Sequence, residues 1–440
     1  MRRMPTARRD FWGAIAPAFA LTLGLAAAAP PPEAVAGEPP AVWDPARTEA
    51  VLVGVLEWPD RALAPFPKPD RKDRALERAL IACGVPRENV AFLEDAQATR
   101  ESMRRALRAA AERAPAGGTL LFYYAGHGLK QDGAACFASY DVKTDDARST
   151  GFPVSEIPEI LARSWKGGRL LLLADCCYSG ALGEIVRGYE GDRRVRAACL
   201  TSATASNVST ERWTFTESLI AVLSGEGIAD SDGDGVLTFA EADSYVRREM
   251  RFRESQLTRA VRTSSFEETF VLRRVDPARA VPPRRAGLFG PGDYAECEWE
   301  GRWWRVLLLA AEEGRYRVHY LGYDASWDEW VPLARLRPPR GADARPGDKV
   351  EVEWQGRWWP ATVERVEDDF CFIRYDGWGR EWDEWVTEKR MRRRRLFRPG
   401  PLEPRRPPAS PRARAACSGS TRFGPRPPLA VHCRVKAIPA

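Results

Sequence analysis

Thr119-Leu120-Leu121-Phe122-Tyr123-Tyr124-Ala125-Gly126-His127-Gly128 and Leu170-Leu171-Leu172-Leu173-Ala174-Asp175-Cys176-Cys177-Tyr178-Ser179-Gly180 are the two stretches that decide the fold of this chain. Each is a short apolar run closed by a glycine-bearing turn, the pattern of a buried strand. In an open parallel sheet, ligands gather outside the carboxyl ends of the strands. The first stretch delivers His127 to such an end, and the second delivers Cys177, 50 residues later. His127 is the only histidine among the first 318 residues. A thiolate beside an imidazole is the minimal equipment for attacking an amide carbonyl.

Outward from these stretches, β-type segments at 50–55, 90–93, 120–124, 170–174 and 197–202 alternate with helical patterns at 73–83, 99–113, 154–163, 215–223 and 239–252. That alternation predicts an α/β fold with a mainly parallel sheet and helices on both faces. It fills residues 48–275. A Pro/Arg-rich linker is expected at 276–287.

A histidine in Ala-Gly-His-Gly followed by a cysteine in Asp-x-Cys-x-Ser-Gly resembles the metacaspases and their bacterial caspase-like relatives, which are cysteine peptidases. A histidine about 50 residues before the cysteine is also the caspase arrangement. The animal Gln-Ala-Cys-x-Gly string is absent, and Tyr178 stands where metacaspases usually carry histidine. The resemblance implies that Cys177 attacks, His127 protonates the leaving amine, and the N–H groups of Gly128 and Cys177 form the oxyanion hole. It also implies a substrate pocket with Asp175, with Asp73 (Asp70 its rival) and with Ser202 on the wall strand. Two carboxylates there would select Arg or Lys before the cut. The rival reading is a binding scaffold whose caspase-like domain is inactive.

Asp230-Ser231-Asp232-Gly233-Asp234-Gly235-Val236-Leu237-Thr238-Phe239-Ala240-Glu241 fits the twelve-residue EF-hand loop. Asp230, Asp232, Asp234, the Val236 carbonyl and Glu241 would hold Ca²⁺, and Gly235 would make the turn. The alternative is an acidic cap on the following helix. The peptidase chemistry itself requires no cofactor.

Beyond the linker, Glu298-Trp299-Glu300-Gly301-Arg302-Trp303-Trp304 returns as Glu353-Trp354-Gln355-Gly356-Arg357-Trp358-Trp359, and Trp327-Asp328-Glu329-Trp330 as Trp382-Asp383-Glu384-Trp385. The offset is 55 residues without a gap. Short alternating runs between glycine turns predict two small all-β SH3-like barrels, at 288–338 and 343–395. They resemble chromo-barrel or Tudor-knot modules, whose aromatic cages hold methylated ammonium groups by cation–π attraction. The matching positions are Trp304, Tyr320, Tyr323 and Trp327, then Trp359, Tyr375, Trp378 and Trp382. Eleven of the sixteen tryptophans fall between 299 and 385, so core filling competes with binding as their purpose. A peptide or protein ligand is expected.

The balance of 67 basic against 61 acidic side chains gives no argument for nucleic acid. Residues 1–36 read as an export signal of twin-arginine type, with Arg8-Arg9 before an uncharged stretch, and predict a periplasmic or extracellular protein. A cytoplasmic protein with a misassigned start is the alternative. No later stretch is long and apolar enough for a membrane span. Nine scattered cysteines form no disulfide framework, and the Pro/Arg-rich tail at 396–440 reads as disordered.

Overall fold

The computed structural model describes residues 40–207, 209, 210, 212–281, 289–354 and 356–393. The expected export signal, half of the Pro/Arg linker (282–287) and the tail lie outside them. Six strands form the main sheet: β1 (Thr48–Gly54), β2 (Val90–Glu94), β3 (Thr119–Ala125), β4 (Gly168–Asp175), β5 (Val195–Thr201) and β6 (Arg259–Arg262). Their order is β6-β5-β4-β3-β1-β2, and every pairing is parallel except that of β6. The α/β expectation is borne out. The antiparallel edge β6 escaped the sequence reading, because Arg-Ala-Val-Arg offers too short an apolar signal.

Alternate residues of the strands feed two cores, as a period of two requires. On one face, Val51, Val53, Phe122, Tyr124, Leu170 and Leu172 pack against α2 (Arg100–Arg113), α3 (Glu156–Ser164) and α4 (Leu182–Arg187). On the other, Ala50, Leu52, Tyr123, Leu171 and Leu200 pack against α1 (Lys72–Ala82), α5 (Thr214–Leu223) and α6 (Phe239–Glu254). β1, β3 and the inner part of β4 are buried on both faces, hence their uninterrupted apolar runs.

Two five-stranded antiparallel sheets follow. The first comprises β7 (Tyr294–Trp299), β8 (Arg302–Glu312), β9 (Arg315–Tyr320), β10 (Glu329–Pro332) and β11 (Leu336–Arg337); the second comprises β12 (Lys349–Trp354), β13 (Arg357–Glu367), β14 (Phe370–Tyr375), β15 (Glu384–Thr387) and β16 (Met391–Arg393). Each curls around its own small core. Among the described residues no disulfide forms, and no helix is long and apolar enough to cross a membrane.

Candidate active site

The register of two neighbouring strands builds the site. Ala125 at the end of β3 lies opposite Asp175 at the end of β4. His127 and Cys177 therefore each stand two residues beyond a paired strand end, on the same edge of the sheet. The turns leave so little space that a Cβ on Gly128 would come within 1.8 Å of the Cys177 carbonyl oxygen. Glycine at 128 is thus demanded by the backbone of Cys177 itself. Tyr178, next to Cys177, takes a left-handed conformation (φ 58°), a costly one for an aromatic residue and common at reactive turns.

The imidazole of His127 is held on three sides. Trp58 and Phe66 flank it at 4.6 and 4.5 Å between ring centroids. Its Nε2 lies 2.8 Å from the Ala64 carbonyl oxygen. A carbonyl only accepts, so in the neutral ring Nε2 carries the proton and Nδ1 the lone pair. Ala64 thus orients the ring as a carboxylate does in other hydrolytic triads. Sequence reading missed it, because any residue offers a carbonyl.

Cys177 is 6% exposed, and its sulfur accepts the backbone N–H of Ser209 at 3.2 Å. Hydrogen bonding to a thiolate favours the charged, nucleophilic form. The residue lines a cleft of about 350 Å³ whose wall includes Phe66, Asp70, Lys72, Asp175, Trp213 and Glu217. His127 lines neither this cleft nor a more open depression of about 610 Å³ around Asp60, Tyr140 and Asp141.

The pocket expectations need correction. Asp175 does line the cleft, and burial pushes its carboxyl up to about 7 against the opposing hydrogen bonds from Thr216 and Ser202. Asp73 does not line it. It is fully buried and paired with Arg71, whose Nε and Nη2 reach it at 2.8 and 2.6 Å. Asp70, its rival, lines the cleft with Glu217. Lys72 stands 3.5 Å from Glu217 and Arg253 3.4 Å, so these acids face cations already. Ser202 is also fully buried and bonds the Ser209 hydroxyl at 3.0 Å, behind the wall instead of on it.

In the 230–241 loop, carboxylate oxygens of Asp230, Asp232 and Asp234 lie within 4.8 Å of one another. Gly235 takes φ 84°, as the turn requires. Val236 begins a short strand paired with Val271–Arg274. Glu241 caps α6, accepting the N–H groups of Ser231 and Thr238 at 2.8 and 3.0 Å. The donor set suits a hard cation.

In the first barrel Trp299, Trp304, Tyr323 and Trp327 close an aromatic ring with neighbouring centroids 5.6 to 6.4 Å apart. In the second, Trp354, Trp382, Trp378 and Trp359 line up in the matching order, with successive centroids 5.4 to 5.6 Å apart. Tyr320 and Tyr375 are corrected out of the cage. They are core residues whose hydroxyls donate to Glu329 and Glu384, each at 2.8 Å. Strand alternation held the signal, since Tyr320 shares the inward face of β9 with Tyr316 and Val318.

The family model for the caspase domain matches residues 48–268, and that for the Agenet domain matches 347–395. Among solved structures, a protein of Geobacter sulfurreducens is similar at 15% identity, covering 54% of this chain and 97% of its own, with a TM-score of 0.36. The tandem Agenet domains 3–4 of ADCP1 share 19% identity over 24% of this chain and 80% of theirs, with a TM-score of 0.13. The AGD34 segment of AGDP1 from Arabidopsis thaliana shares 17% over 24% and 82%, also at 0.13. No curated protein matches this chain.

Proposed function

This chain belongs to the caspase-domain family, whose model matches just over half of it, and from that premise we propose that it is a cysteine endopeptidase with Cys177 and His127 as its dyad. The His127 imidazole takes the thiol proton, and the Cys177 sulfur adds to the scissile carbonyl. The N–H groups of Gly128 and Cys177 receive the developing oxyanion, a contribution of about 10²- to 10³-fold per donor in related hydrolases. The C–N bond breaks as His127 returns the proton to the leaving amine. A water deprotonated by the same ring then releases the acid from the thioester. The observation that carries this reading is the β3–β4 register, which brings both residues to one sheet edge.

Cleavage after Arg or Lys is the proposed specificity, resting on Asp175 beside the nucleophile with Asp70 and Glu217 at the wall. With its carboxyl titrating near 7, Asp175 is charged above that pH, so affinity for a basic residue should rise as pH passes neutrality. The deciding experiment pairs wild type with Cys177→Ala on fluorogenic peptides ending in Arg or Asp. The variant should lose about 10⁴-fold or more of the Arg-peptide turnover. Equal turnover by both proteins would end the peptidase reading, and turnover of the Asp peptide alone would end the pocket assignment. The burial of the dyad favours a second reading, an inactive scaffold, which a thiol-reactive peptide would leave unlabelled at Cys177.

We read the 230–241 loop as a Ca²⁺ site held by Asp230, Asp232, Asp234, the Val236 carbonyl and Glu241. Calorimetric titration should give heat at sub-millimolar Ca²⁺; silence would leave Glu241 as a helix cap only. The aromatic rings would recruit a cationic group on a peptide or protein. Export through residues 1–36 belongs to the same proposal, and fractionation of the native protein tests it.

A further inference from the structure

The segment between β5 and α5 runs along the cleft and supplies the Ser209 N–H to the Cys177 sulfur. Its residues 203–207, 209 and 210 belong to no strand or helix, so what fixes them must be found among individual backbone and side-chain bonds. At one end Asn207 accepts the Tyr178 N–H on its own carbonyl at 2.9 Å, gripping the residue next to the nucleophile. Its side-chain amide does something different. Nδ2 donates to the Trp385 carbonyl at 2.8 Å, and Oδ1 accepts the Trp385 N–H at 3.2 Å. Trp385 lies on β15, the edge strand of the second barrel, so Asn207 meets both outward backbone groups of one residue as a further strand would. At the other end Gln256 accepts the Thr210 N–H at 2.8 Å and donates to the Ser209 hydroxyl at 3.0 Å.

The barrel is held there by more than this pair. Leu257, Phe370, Phe372 and Trp385 form an apolar cluster. The β13–β14 hairpin tip, Glu367-Asp368-Asp369, meets Arg247 and Arg251 of α6 and Arg259 of β6 at 2.8 to 3.2 Å. Asp369 is 5% exposed, so its pairing with Arg251 is largely dehydrated, while Arg247, Glu367 and Asp368 stay partly exposed at the rim of the contact.

We propose that the docked second barrel, acting through Asn207, holds Ser209 against Cys177, which makes Asn207 a positioning residue for the nucleophile. The proposal rests on the peptidase reading for its consequence, but not for its geometry. A released barrel would free the segment, withdraw the Ser209 N–H and weaken the thiolate. A ligand that competes for the docking face would then lower activity without touching the cleft.

The test reverses the hairpin charge in the full chain, Glu367→Arg with Asp368→Arg, and re-pairs it by adding Arg247→Glu. Two readouts are followed: kcat/KM on a peptide too short to reach the barrels, and the rate of iodoacetamide labelling of Cys177, with small-angle scattering to report docking. The reversed protein should extend, with both rates about tenfold lower, the worth of one hydrogen bond to a charged group. The re-paired protein should recover most of each. A barrel that stays docked despite the reversal would overturn the latch as located, and unchanged labelling with the barrel released would overturn the positioning role. Labelling that responds as expected while no form cleaves any peptide would sink the peptidase reading and leave the positioning intact.

Discussion

The two barrels are nearly the same object made twice, and the positions at which they differ show what each is for. Both keep the aromatic quartet. Both keep a Tyr–Glu–Arg brace, in which Glu329 joins Tyr320 to Arg335 and Glu384 joins Tyr375 to Arg390. Both stack an arginine on an outer tryptophan, Arg337 on Trp303 and Arg392 on Trp358. They part at one face. Phe370 and Phe372 of the second barrel replace Arg315 and Arg317 of the first, and the tip Glu367-Asp368-Asp369 replaces Glu312-Glu313-Gly314. In the first barrel these positions are exposed, whereas Phe370 is 2% exposed in the cluster with Leu257. The first barrel touches α6 elsewhere: Tyr294 donates to Glu249 at 2.8 Å and stacks on Phe252, and its counterpart Lys349 is exposed. One scaffold thus carries the same aromatic quartet on two different mountings.

Breaking the second mounting should give the largest effect. Phe370→Ala removes a buried aromatic and should destabilise the docked barrel by about 3 kcal/mol. Arg315→Ala at the matching place should stay within about 0.5 kcal/mol. Denaturant titration followed by tryptophan fluorescence compares them; equal losses would mean that the faces are not used differently.

The sequence made the repeat, the buried strands and the His–Cys pair legible because each rests on a local pattern: periodicity, a glycine turn, an apolar run. What it hid depends on side-chain contacts that only the folded chain makes, near or far in sequence. Asp73 reads as a pocket acid until Arg71 folds onto it and adds bonds to Glu94 and the Gly54 carbonyl. Ser202 reads as pocket wall until Ser209 is laid in front of it. The Asn207–Trp385 pairing spans 178 residues and has no motif at all. Trp299 and Trp354 precede the Gly301 and Gly356 turns, outside the Tyr-to-Trp stretch that resembles a cage, so the sequence alone gives them no place in it.

The rings sharpen the comparison from the other side. Trp382→Ala should weaken binding of a trimethyl-lysine peptide to the second barrel about tenfold, a desolvated cation–π contact being worth up to about 2 kcal/mol. Trp327→Ala should do the same for the first barrel alone. Two-site calorimetry resolves the pair, and loss of both sites from either change would mean a single composite site. Smallest of all is the brace. Tyr375→Phe and Tyr320→Phe each remove one hydroxyl from a glutamate that keeps its arginine, so each should cost about 1 kcal/mol and leave ligand affinity unmoved. The Tyr320 hydroxyl also reaches the Cys297 sulfur at 3.4 Å, where the second barrel has Val352, so Tyr320→Phe should cost at least as much as Tyr375→Phe. A Tyr375→Phe protein that lost binding along with stability would return that tyrosine to the cage.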